Sequence, residues 1–204
     1  MKNGEVIMYK KQLAFQKIVC LIAIIAAAVT FVYSLGMITD IYDSLYSTMR
    51  NPNDLTDTKV PGSIIYYDMQ PFNKAYVGAA IALILVACTL YLTNTHVRRK
   101  YYVGNLVSTL LYSGATLGVA IWSHIQINAF AHQYMTTIDF EALEKFSKTW
   151  KTPYLDSTFL LDLHYVVLGL SILSVVLLIG NYVWKCVMMN AEKKLLNSGK
   201  EAAV

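Results

Sequence analysis

YVVLGLSILSVVLLIGNYVW, residues Tyr165 to Trp184, is a run of twenty residues without a charge, preceded by Asp162 and His164 and closed by Lys185. At about 1.5 Å of rise per residue it covers the roughly 30 Å of hydrocarbon in a bilayer, so it reads as a membrane-spanning helix. Three more uncharged runs meet the same length: Ile18 to Thr39, Ala75 to Thr95 and Tyr101 to Ser123. The sequence therefore predicts an all-α, polytopic integral membrane protein, an antiparallel four-transmembrane-helix bundle. Its spans fall at about 18–39, 75–95, 101–123 and 163–185, within one domain covering residues 1–204.

Composition agrees. With 56% hydrophobic and 15% charged residues, the chain is more apolar than a soluble domain, which carries about 45–50% and about 25%. The formal net charge of +4 does not mark a nucleic-acid surface, because the basic residues are distributed by segment. Eleven of the seventeen lie in the N-terminus (Lys2, Lys10, Lys11, Lys17), the second loop (Arg98, Arg99, Lys100) and the C-terminal tail (Lys185, Lys193, Lys194, Lys200). Against only Glu5, Glu192 and Glu201, these segments net +8, while the other two loops, with Asp162 at the entry to span four, net −4. Basic residues near span ends are retained inside. Both termini (the tail is 186–204) and loop 96–100 are thus expected in the cytoplasm, with loops 40–74 and 124–158 outside. The cysteines, Cys20, Cys88 and Cys186, leave both outer loops without a disulfide, and neither loop has an Asn-x-Ser/Thr site. A multi-pass protein of a cell membrane follows, and a bacterial cytoplasmic membrane fits these absences.

The first apolar run has the flanks of a signal peptide, with Lys10, Lys11 and Lys17 before it, but it is longer than the 7–15 residues of a signal h-region. Beyond it, Ile41, Tyr42, Leu45, Tyr46 and Met49 recur at helical spacing opposite Asp40, Asp43, Ser44, Ser47 and Thr48. The spacing predicts that helix one continues unbroken to about Arg50, stopping at Asn51-Pro52-Asn53. Pro61-Gly62 marks a turn, and Ile64 to Tyr67 is a β-prone run closed by Pro71, read as a cover over the helix extensions. Span three continues outward past His124 without a breaker. Residues 139–150 place Phe140, Leu143, Phe146 and Trp150 on one face of a short amphipathic helix. Pro153 ends it, Asp156 or Ser157 is positioned to cap helix four, and that helix projects into the cytoplasm as far as Asn197-Ser198-Gly199. Trp184 and Lys185 read as an aromatic and cationic anchor at the inner boundary. Extended helices and both long loops together make an extracytoplasmic cap.

No motif names a reaction. Walker, HExxH, GxSxG, dinucleotide and Cys-x-x-Cys patterns are absent, and no cofactor is predicted. Haem requires histidines deep between spans, whereas all four histidines lie at span ends or in loops. The polar groups at the outer helix ends are Asp40, Asp43, His124, Asp162 and His164. Of these, Asp162, His164 and His124 form a candidate metal or proton site, although residues two apart on a helix point about 200° from one another. On span three, Gly104, Ser108, Gly114 and Gly118 form a small-residue helix-packing face, serving the bundle itself or self-association. Tyr42, Leu45, Met49, Phe140, Leu143, Phe146 and Trp150 supply a partner-binding cap. The four-span layout resembles claudin-like tetraspans in outline, but the tryptophan and cysteine pair that mark their first outer loop are missing, as is the Cys-Cys-Gly of tetraspanins.

The expectation for function is a non-catalytic accessory or scaffold subunit of a membrane complex, in contact with the lipid bilayer and with other membrane subunits or copies of itself, and not with nucleic acid. The alternatives are an oligomeric small channel or transporter for cations or small solutes, and a metal- or quinone-linked membrane enzyme. Reporter fusions test the orientation. A cytoplasm-active reporter joined after residue 100 or at the C-terminus should be active, and one joined within 40–74 or 124–158 silent; the reverse pattern would invert the topology.

Overall fold

The computed structural model describes residues 3–39, 42–48, 59–94 and 102–201. Among them the only regular elements are helices: α1 (Asn3–Ile38), α2 (Asp43–Thr48), α3 (Ile65–Asn94), α4 (Tyr102–Thr137), α5 (Phe140–Trp150), α6 (Phe159–Asp162) and α7 (His164–Glu201). Helix suits a medium without water, because it satisfies the backbone within one segment. Four stretches are long and apolar enough to cross a membrane: Lys10–Ile38, Ile65–Asn94, Val103–Thr137 and Phe159–Lys194. They expose large apolar side chains such as Val32, Leu85, Leu110 and Val176. This is the outward surface of a multi-pass membrane protein.

Helix boundaries depart from the sequence reading in four places. First, α1 does not run to residue 50. It stops at Ile38, where the buried Asn73 amide donates to the Met37 carbonyl at 2.7 Å and the Thr39 hydroxyl donates to the Leu35 carbonyl at 2.7 Å. Carbonyls freed at a helix end thereby find partners, and a separate helix, α2, follows at Asp43. The breaker Asn51-Pro52-Asn53, Met49 and Arg50 lie outside the described residues.

Second, the β-prone run Ile64–Tyr67 opens α3, and Pro71 lies inside that helix instead of closing a cover. Helical spacing wins over β propensity here: Ile65, Met69, Phe72 and Tyr76 are all buried on one side. Third, neither Asp156 nor Ser157 caps helix four. Thr158 precedes α6, its hydroxyl donating to the Asp162 carboxylate at 2.8 Å, and a break at Leu163 separates α6 from α7. Fourth, α7 passes through Asn197-Ser198-Gly199 to Glu201. The amphipathic helix α5 has the sequence-predicted face, with an Asp139 N-cap accepting from the Ala142 N–H at 3.0 Å and Lys151 closing it in the left-handed region at φ 52°.

The chain divides into two compact units, and each long helix contributes a segment to both. The first comprises 1–27, 83–117 and 171–204. Its core is built largely of small side chains, Ala23, Ala26, Ala27 and Ala87 among them, around the fully buried Tyr112. The second comprises 28–82 and 118–170, and its core is large and aromatic. Phe72 stacks on Tyr76 at 5.5 Å between ring centroids and touches Trp122 and Phe130, while Tyr42 meets Tyr134 at 4.5 Å.

Segment 151–158 of this second unit has no helix, and side-chain hydroxyls hold it and the start of α6. Tyr33 donates to the Leu161 carbonyl at 3.0 Å, Tyr42 to Ser157 at 3.4 Å, Tyr134 to Leu155, and Ser44 to Pro153. Burial pushes the Tyr42 phenol well above its ordinary value, which keeps it the neutral donor these carbonyls require.

A tight corner closes the same unit. The Asp139 N–H donates to the Pro61 carbonyl at 3.1 Å, and Gly62, at φ 82°, lies against the α4 terminus. A Cβ at Gly62 would stand 2.1 Å from the Thr137 carbonyl oxygen, a backbone atom unable to step aside. Gly62→Ala therefore incurs left-handed strain of about 1–3 kcal/mol plus that collision. A fall in melting temperature of several degrees in detergent is expected; an unchanged value would mean that the corner is not formed.

Candidate functional site

In the second unit two histidines meet. His124 on α4 and His164 at the first position of α7 bring Nδ1 and Nε2 to 2.9 Å, with ring centroids 5.0 Å apart. The break at Leu163 positions His164: its Nδ1 lies 2.8 Å from the Leu161 carbonyl oxygen, an acceptor only, so that nitrogen carries hydrogen. His164 is 3% exposed. Asn128, one turn along α4, places its amide nitrogen 3.2 Å from His124 Nε2 and 3.4 Å from Nδ1. The Tyr165 hydroxyl donates to the Asn128 side-chain oxygen at 3.1 Å.

Asp162 does not join them. Its carboxylate accepts from Thr158 and its residue is exposed, so of the three residues singled out from sequence the fold brings together two. Among the described residues no group of three or more His, Cys, Asp or Glu is arranged to hold a metal ion. Asp40 and the side chain of Asp43 lie outside the described residues.

The small-residue face of α4 divides in a similar way. Ser108 is buried and accepts from the Asn94 amide at 2.8 Å. Gly104, Gly114 and Gly118 are exposed, and a Cβ on any of them meets nothing within 4 Å. Among the described residues no helix uses the close approach that these glycines permit.

Of the seven cap residues, Tyr42, Leu45 and Leu143 are consumed by the protein's own core. Phe140 and Phe146 pack partly buried against that core. An apolar stripe on a short helix finds its cover within the chain. Trp150 is the member turned outward, 60% exposed, with the Lys59 ammonium 5.0 Å above its ring. Met49 lies outside the described residues.

The first unit contains polar groups that sequence reasoning missed. Gln12 donates from Nε2 to Gln16 at 2.9 Å and to Asn181 at 3.2 Å, and all three are buried. Lys185 is 3% exposed, so it is not the boundary anchor expected from sequence; Trp184 beside it packs on Phe15 at 5.6 Å. The signal was present as i, i+4 pairs, Gln12 with Gln16 and Asn181 with Lys185, each on one helix face. Tyr112 completes the interior polar groups, donating to the Ala23 carbonyl at 3.1 Å and bonding Ser174 at 2.9 Å.

No protein-family model, curated protein or solved structure matches this chain. Burial of Lys185 is open to direct measurement. Amine acylation of the protein in membranes, read by mass spectrometry, should modify the exposed Lys193 and Lys194 and leave Lys185 at least tenfold less modified. Equal rates would return Lys185 to the surface.

Proposed function

We propose that this chain is a non-catalytic accessory or scaffold subunit of a membrane protein complex. In this reading the spans form an antiparallel four-helix bundle in a cell membrane, with both termini cytoplasmic and a cap outside. The observation that carries it is the open small-residue side of α4. Gly104, Gly114 and Gly118 leave room for another backbone, and no described helix of this chain fills it. In a bilayer the hydrophobic effect gives helices little reason to associate, so close backbone approach at small residues is a principal source of attraction. Exposed Trp150 adds an aromatic contact of the kind enriched at protein interfaces.

A second reading, an oligomeric channel or transporter, draws on Gln12, Gln16, Asn181 and Lys185. A cationic side chain in a span costs about 2.5–3.5 kcal/mol at the membrane centre on insertion scales, and such residues often mark ion or substrate paths. Here Gln12 and Gln16 lie in the first half of α1 and Asn181 and Lys185 near the middle of α7, all four within a packed interior where the amides bond one another, which favours a structural role.

Purification from the native membrane in mild detergent, with mass spectrometry of companions, separates the two. A stoichiometric membrane partner, lost when Gly114→Leu and Gly118→Leu are combined, is the expected outcome. A homo-oligomer that conducts cations in liposomes would favour the second reading, and a monomer without companions would remove the subunit reading.

A further inference from the structure

We infer that His124 and His164 form one proton-binding site, two imidazoles that take up a single proton between them. The hydrogen assignment is forced from one end. The Leu161 carbonyl can only accept, so His164 carries its hydrogen on Nδ1 and, when neutral, presents a lone pair at Nε2. The nitrogen 2.9 Å from that lone pair is His124 Nδ1, which must therefore supply the hydrogen. Both rings are then Nδ1–H tautomers. The lone pair of His124 is at Nε2, where the Asn128 amide approaches, and Asn128 in turn accepts from Tyr165.

One added proton fits this arrangement and two do not. With His164 protonated, its Nε2–H donates to His124 Nδ1, whose hydrogen has moved to Nε2. The added proton is thus held as an N–H bond on His164, and the bond lost at His124 Nδ1 is remade at His124 Nε2. Asn128 must rotate to offer its oxygen to that new N–H, and the Tyr165 hydroxyl then loses its acceptor and turns to accept from the Asn128 amide. A second proton would place two N–H groups and two positive charges at a 2.9 Å separation, which like-charge repulsion opposes. Among the described residues the ionisable groups around the pair are Tyr165, whose ring contacts both imidazoles, Asp162, which acts on His164 from the preceding turn, and Tyr33 on α1, whose hydroxyl donates to the same Leu161 carbonyl at 3.0 Å. Tyr165 is half exposed on α7, so the occupancy of a largely buried site is displayed at an accessible hydroxyl.

The test is nitrogen NMR of the full-length protein, labelled with 15N-histidine in lipid nanodiscs and titrated from pH 9 to pH 4.5. Resonances are assigned by His124→Gln and His164→Gln. At high pH both histidines should show the Nδ1–H tautomer, the minor form of free imidazole. On acidification the pair should gain one proton, the second following at least about two pH units lower, whereas in either single variant the remaining histidine should take up its one proton in a single step. An Nε2–H tautomer at His164, or two full protonations in the wild type matching those of the single variants, would overturn the assignment. The tautomer measurement uses the unmodified protein and stands even where a variant fails to fold. Asn128→Ala supplies a further check: it should leave the His164 tautomer unchanged and alter the His124 Nε2 shift.

Discussion

A segment without a helical ladder needs hydrogen-bond donors from elsewhere, and in the second unit side-chain hydroxyls supply them. Residues 151–158, exposed or half-buried, join α5 to α6, with Leu155 packed against the hydrophobic core. Tyrosine is the side chain suited to that task, since its ring packs as core while its hydroxyl reaches a backbone oxygen. Tyr33, Tyr42 and Tyr134 each do this from a different helix or turn. Tyr42 and Tyr134 therefore hold the segment, and Tyr33 holds α6, as well as filling space.

The histidine pair depends on that same arrangement. The Leu161 carbonyl, three residues before His164, accepts both the Tyr33 hydroxyl and the His164 Nδ1–H, so one backbone oxygen ties α6 to α1 and fixes the imidazole. The break also turns Asp162 away to Thr158.

The first unit solves its polar problem differently. Its core is lined with alanine, and buried amides and hydroxyls bond across α1, α4 and α7, with Lys185 as a buried cation beside them. Amides and hydroxyls can both donate and accept, which suits them to a dry interior. On α4, Gly104, Gly114 and Gly118 remain uncovered.

Four apolar helices were legible from sequence because the membrane imposes one length and one composition on any span, and a run of twenty uncharged residues is too apolar for a helix with one face in water. The amphipathic period of residues 139–150 was legible for a similar reason: local chemistry alone fixes it. Tertiary structure decided what local chemistry leaves open. Whether the stripe of Tyr42, Leu45 and Leu143 faces a partner or the protein's own core depends on what packs against it. So does the end of α1, set by an asparagine 36 residues away from Met37 in sequence. The meeting of His124 with His164, and the exclusion of Asp162 from it, rest on a break that no proline or glycine announces, since the competing hydrogen bonds at Leu161 exist only once the core has formed.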